Sequence, residues 1–136
     1  MRQATRWSIL LSVALATVIA LLTLMPPTQV DVPAGGDKFY HFTAFVALAF
    51  PLAVVRPRWS VVLFVVYSAY GAAIEIIQPY VGRSREVADL LADMVGIAVG
   101  MLLGLLVRRL VEHVHPRVQP SGDASPSKAW SGPGRH

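Results

Sequence analysis

"SILLSVALATVIALLTL", residues 8–24, decides the fold class, because it is apolar on every side and offers no polar stripe to face water as a soluble helix would. Three further apolar stretches follow at Phe39–Val55, Trp59–Ile77 and Leu90–Val107. With Trp7–Leu24 they make four runs, each near the roughly 20 residues that a helix needs to cross a bilayer. The chain has 136 residues, of which 54% are hydrophobic and only 15% charged, and its mean hydropathy is +0.54. A soluble domain of that size needs more polar surface. The sequence therefore predicts an all-α polytopic membrane protein, an antiparallel bundle of four transmembrane helices in residues 1–110. From Val111 onward, Pro, Ser, Gly and scattered charge predict a disordered cytoplasmic tail, residues 111–136.

The net charge of +4 invites a nucleic-acid reading, but the placement of the basic residues argues against it. Arg2 and Arg6 precede the first stretch, Arg56 and Arg58 fill the link between second and third, and Arg108, Arg109, Arg117, Lys128 and Arg135 follow the fourth. Only Lys38, Arg83 and Arg85 fall in the other two links. Positive charge collects on cytoplasmic loops, so this asymmetry predicts both termini inside and two links outside. No cluster of basic residues interleaved with aromatics is present, and no nucleic-acid partner is expected. Cysteine is absent, which excludes disulfides, thiol nucleophiles and Cys-based zinc sites. The first stretch has the flanks of a secretory signal, Arg2 and Arg6 ahead of a small-residue run. It continues unbroken to Leu24, however, so a retained spanning helix is expected.

The punctuation between stretches is clear. Pro26-Pro27 through Gly36 predicts the first outer loop. Asp37 is placed to cap the second helix, and Pro51 predicts a kink near its end. The short link Arg56-Pro57-Arg58 predicts that the second and third helices lie adjacent and antiparallel. Trp59 and Tyr80 suit the two interfaces. Residues 79–86, "PYVGRSRE", predict the second outer loop, with the fourth helix starting near Glu86–Asp89. Gly96, Gly100 and Gly104, four apart, predict close packing on a neighbouring helix. His113 and His115, without further ligands, are read as solvated tail residues.

Ionisable groups at membrane depth are costly and therefore mark functional sites. Asp37, Lys38 and His41 open the second helix, Glu75 and Gln78 close the third, and Asp89 and Asp93 open the fourth. At about 1.5 Å per residue, His41, Glu75 and Asp93 all lie roughly 5 Å below the outer ends of their helices. Residues four apart share a face, so Asp37 and His41, Gly71 and Glu75, and Asp89 and Asp93 are same-face pairs. Asp93 also shares its face with Gly100 and Gly104. The spacing thus predicts one convergent polar layer, with Arg83 and Arg85 as partners for Glu75 and Asp93, and Asp89 and Asp93 as a coupled carboxylate pair.

The motifs "DKFYHF" at 37–42, E-x-x-Q at 75–78, Arg83, Asp89 and G-x-x-x-G at 96–100 resemble the VanZ-like family. That family takes its name from an accessory protein of glycopeptide resistance that lowers susceptibility to teicoplanin. The resemblance covers about residues 7–107. It implies a four-helix membrane domain in the bacterial inner membrane and, position by position, a polar set of Asp37, Lys38, His41, Glu75, Gln78, Arg83 and Asp89. Where relatives commonly carry Asn, this chain has Asp93, and Glu86 stands where a small hydroxyl residue is frequent.

Three functions compete. In the first, the chain is an envelope accessory protein whose polar layer binds a lipid-linked headgroup or lipoglycopeptide. Lys38, Arg83 and His41 would then meet anionic groups, while Glu75, Gln78, Asp89 and Asp93 orient them or bind hydroxyls. No cofactor or metal is expected for that role, and protein partners are not indicated. The second is an intramembrane hydrolase or transferase acting on a lipid phosphate or peptidoglycan precursor, with His41 or Glu75 as acid or base. The third, a proton-coupled carrier, lacks a polar path through the Leu-, Val- and Ala-rich inner half.

Overall fold

The computed structural model describes residues 2–25 and 36–114. Four helices account for nearly all of them: α1 (Arg2–Leu24), α2 (Gly36–Val55), α3 (Ser60–Ile77) and α4 (Val87–Val114). Short 3-10 turns at Pro57–Trp59 and Gln78–Val81 flank α3. No strand occurs among the described residues. Each helix is long and apolar enough to cross a membrane. Even α3, with 18 residues, rises about 27 Å, and the flanking turns lengthen that span to Pro57–Val81.

The distribution of polarity is that of a protein solvated by lipid. Thr5 and Ser12 on α1 are buried toward the bundle, whereas Val61 is 78% and Leu102 67% exposed. Water would penalise that outer surface, and acyl chains do not.

The centre of the bundle is the contact between α2 and α4, which run parallel. The glycine ladder makes it possible. A Cβ at Gly96 would strike the carbonyl oxygen of Phe42, one at Gly100 that of Val46, and one at Gly104 would lie 2.8 Å from the Cβ of Ala53. Backbone therefore rests on side chain and backbone with nothing between. Phe45, Leu48, Ala49, Ala53 and Ile97 are fully buried along this seam.

The other helices run against this pair. Gly71 of α3 faces Asp93 of α4, while Tyr70 Oη donates to the Ala16 carbonyl of α1 at 2.5 Å. Arg56 Nε, beyond the end of α2, donates to Thr5 Oγ1 near the start of α1 at 3.0 Å. The alternation is up-down-up-down, as expected. One expectation needs correction: α2 and α3 are antiparallel, but α3 packs chiefly on α4 and touches α2 only slightly. The glycine seam draws α4 onto the face of α2 that a simple hairpin would give to α3.

The two ends of the bundle differ. One gathers Arg56, whose guanidinium lies 5.5 Å from the Trp59 ring, and Arg108, which donates to the Val55 carbonyl at 3.2 Å and pairs with Glu112 at 2.8 Å. Arg108 thus satisfies a carbonyl left open at the C-terminus of α2. Pro51 sits inside α2, and the helix continues past it to Val55. At the same end α4 remains helical through Val111–Val114, four residues past the boundary drawn from composition. Residues 26–35 of the expected first outer loop (26–36) and the tail from His115 lie outside the described residues, and Gly36 opens α2.

Candidate functional site

At the opposite end, the start of α2, the end of α3 and the start of α4 bring the expected residues together. Gly82 shapes the connection. Its φ of +80° is the left-handed conformation that only glycine adopts without strain. Its amide and that of Arg83 turn back onto the Gln78 carbonyl. The chain reverses within a few residues, and Glu86 is delivered beside Glu75.

His41 and Asp93 form the deepest pair. His41 Nδ1 and Asp93 Oδ1 are 2.9 Å apart across the α2–α4 seam. Asp93 is wholly buried, and His41 is 6% exposed. The register that seats Gly96 on Phe42 and Phe45 also sets these two side chains opposite each other. Gly71 completes the pocket for Asp93, since a Cβ there would lie 2.7 Å from Oδ2.

Glu75 accepts a hydrogen bond from the backbone amide of Glu86 at 3.0 Å, just before α4 begins. An α3 carboxylate thereby satisfies one of the open donors at the helix start, where negative charge is favoured. Above this lies Lys38. Its Nζ is 2.8 Å from Glu86 Oε2, 3.4 Å from Asp37 Oδ2 and 3.5 Å from Asp89 Oδ1. Asp37 also accepts from the Lys38 amide at 2.9 Å.

Several of these groups are incompletely satisfied. Glu75 Oε1, Gln78 Oε1, Asp89 Oδ1 and Asp93 Oδ2 are buried without a hydrogen-bond partner among the described residues. Such oxygens are uncommon in folded proteins, and each calls for an explanation.

One sequence-based expectation is overturned. Arg83 and Arg85 do not pair with Glu75 or Asp93 among the described residues: Asp93 is served by His41 and Glu75 by a backbone amide. For Asp93 the cause is the parallel α2–α4 register, which inserts His41; for Glu75 it is the turn at Gly82, which delivers the Glu86 amide. Asp89 and Asp93 both approach His41: Asp93 bonds Nδ1, and Asp89 offers an oxygen within 4.8 Å of an imidazole nitrogen while its Oδ1 lies 3.5 Å from Lys38 Nζ. Glu86, outside the polar set that the sequence predicts, belongs to the layer. Its position three before Asp89, and so on the same side of the incipient helix, is the signal that marks it.

Arg83 has a different setting. Together with Asp37, Tyr40 and His41 it borders a cavity of about 460 Å³ between α1 and α2. The remainder is lined mostly by apolar residues, including Ile19, Leu22, Ala44 and Phe45, with Thr23 and Thr43 among them. Arg83 is half-buried and forms no ion pair among the described residues. Of the other histidines, His113 lies in the last turn of α4 at the arginine end, and His115 and His136 lie outside the described residues.

Four apolar helices with a carboxylate–imidazole–lysine layer at one end define a multi-pass membrane protein. A family model described as VanZ/LLP1 matches residues 2–108, and the chain belongs to that family. No curated protein and no solved structure matches it.

Proposed function

We propose that the protein is an accessory protein of the bacterial cell envelope, seated in the inner membrane with the polar layer outward. There it binds an anionic headgroup carried on a lipid, a lipid-linked precursor or a lipoglycopeptide such as teicoplanin. The observation that carries this reading is the amphipathic cavity. Its volume falls in the roughly 300–1,000 Å³ range of small-molecule sites. Its walls between α1 and α2 are mostly apolar, and His41 and an Arg83 with no ion pair among the described residues stand at its polar end. A half-buried guanidinium beside an apolar groove suits a phosphate or carboxylate whose aliphatic part lies along the helices.

The test uses protein purified in mild detergent from membranes supplied with undecaprenyl phosphate or teicoplanin, with retained molecules read by native mass spectrometry. Arg83→Ala should lose the anionic ligand at least tenfold, and Leu22→Trp, which fills the groove, should lose it with Arg83 intact. Equal retention by wild type and both variants would refute the proposal.

A second reading, an intramembrane hydrolase or transferase, is favoured by one observation. The His41–Asp93 pair is a base held by an orienting carboxylate, and His41 lines the cavity. Turnover of a radiolabelled lipid-linked precursor by wild type but not His41→Gln would establish it.

A further inference from the structure

His41 of α2, Glu75 of α3 and Asp89 of α4 each offer one ligand atom, and these atoms lie within 4.8 Å of one another. All three side chains are more than nine-tenths buried, with exposures of 6%, 2% and 6%. From this geometry we infer a binding site for a divalent transition metal, with Zn²⁺ the best match, held by His41 Nε2 and the carboxylates of Glu75 and Asp89.

Four features support the site. First, Glu75 Oε1 has no hydrogen-bond partner among the described residues, and Asp89 Oδ1 makes no hydrogen bond and has only the Lys38 ammonium at 3.5 Å. Buried carboxylate oxygens without partners carry a desolvation cost that a cation removes. Second, Nδ1 of His41 is engaged by Asp93 at 2.9 Å, and Nε2 makes no hydrogen bond among the described residues. A carboxylate on one ring nitrogen fixes the tautomer so that the other presents its lone pair, as in metal-bound histidines. Third, neutral imidazole with two carboxylates carries the charge that a divalent ion neutralises. Lys38 cannot fill this role fully, because its shortest contact is to Glu86 at 2.8 Å and Asp89 is 3.5 Å away. Fourth, one ligand atom from each residue lies within 4.8 Å of the other two, so small side-chain movements bring the three to zinc-bond distances of roughly 2.0–2.2 Å.

The donor set decides the ion. One imidazole and two carboxylates suit Zn²⁺, with Mn²⁺ next, whereas Mg²⁺ and Ca²⁺ favour oxygen-only shells and thiolate-seeking ions find no sulfur. Three protein ligands leave a coordination position open. Because His41 also borders the cavity, a phosphate or carboxylate oxygen of a headgroup bound there would be the group to fill that position. This last extension rests on the headgroup reading; the metal site does not. Asp93 acts through His41 as a positioning residue.

The experiment measures metal retained by detergent-purified protein after exposure to Zn²⁺ or Mn²⁺ and gel filtration. It uses a His113→Ala, His115→Ala, His136→Ala background, which removes every other imidazole. About one equivalent of Zn²⁺ is expected for the parent. Glu75→Gln and Asp89→Asn should each retain less than a fifth of that while keeping their helical circular dichroism. Asp93→Asn should retain metal with an affinity about 10–100-fold weaker. Zn²⁺ should also raise the thermal midpoint of the parent and leave that of Glu75→Gln unmoved. Less than a tenth of an equivalent in the parent with either ion, or retention indifferent to both Glu75→Gln and Asp89→Asn, overturns the inference. Arg83→Ala separates the two proposals: it should abolish amphiphile retention and leave bound Zn²⁺ unchanged.

Discussion

His41 and Asp93 show how one contact ties stability to function. Removing one member of a buried carboxylate–imidazole pair leaves the other without its partner, which typically costs about 3–5 kcal/mol. His41→Leu alone should therefore lower the folded yield and the thermal midpoint in detergent sharply. His41→Leu combined with Asp93→Leu replaces both by apolar groups and should recover much of that loss without restoring ligand retention. A double variant as unstable as the worse single one would show that the pair is not the unit it is taken to be. The sequence put both residues at one depth, because counting along a helix gives depth directly. It did not reveal the pairing, because a partner on another helix depends on rotation and register, and neither is written in the spacing of one segment. For Glu86 the spacing shows the side it shares with Asp89 but not its partner, because Lys38 lies 48 positions earlier in the chain.

Among the elements, α2 and α4 determine the arrangement. Gly96, Gly100 and Gly104 announced a packing face, and the structure seats that face on Phe42, Val46 and Ala53. The ladder did not name its partner helix, and the short Arg56-Pro57-Arg58 link suggested that α2 would pack on α3 instead. Close backbone approach outweighed proximity in sequence. Gly100→Ala should destabilise the protein by at least about 1 kcal/mol, the lower range of overpacking costs, because its new methyl group meets the Val46 carbonyl. Leu102→Ala, on a lipid-facing position that is 67% exposed, should change the thermal midpoint little. If the two variants melt alike, the seam is looser than described.

For the whole molecule, the arginine end and the carboxylate end give the bundle a direction. Positive charge favours the cytoplasmic side, so the layer with His41 and Glu75 should face outward. The chain has no cysteine, which makes single-cysteine labelling clean. In intact cells a membrane-impermeant maleimide should modify Arg85→Cys and spare Glu112→Cys until the membrane is opened. The reverse pattern would invert the topology and place the layer inside. The number and order of spanning helices were legible because lipid demands length and uniform apolarity, which are properties of single segments. The cavity between α1 and α2 was not, since a void belongs to no residue.

The glycine seam has a consequence for how finely the polar layer is tuned. Glycines four apart repeat at every turn, so the ladder sets how closely α2 and α4 approach and which faces they share. A slide of one turn would part His41 from Asp93 by about 5.4 Å, and the polar pair selects one register among those the ladder admits. Spacing and alignment are thus divided between the hydrocarbon depth and the polar end, and a lesion far from any charge, such as Gly104→Val, should wedge the helices apart and blur ligand recognition.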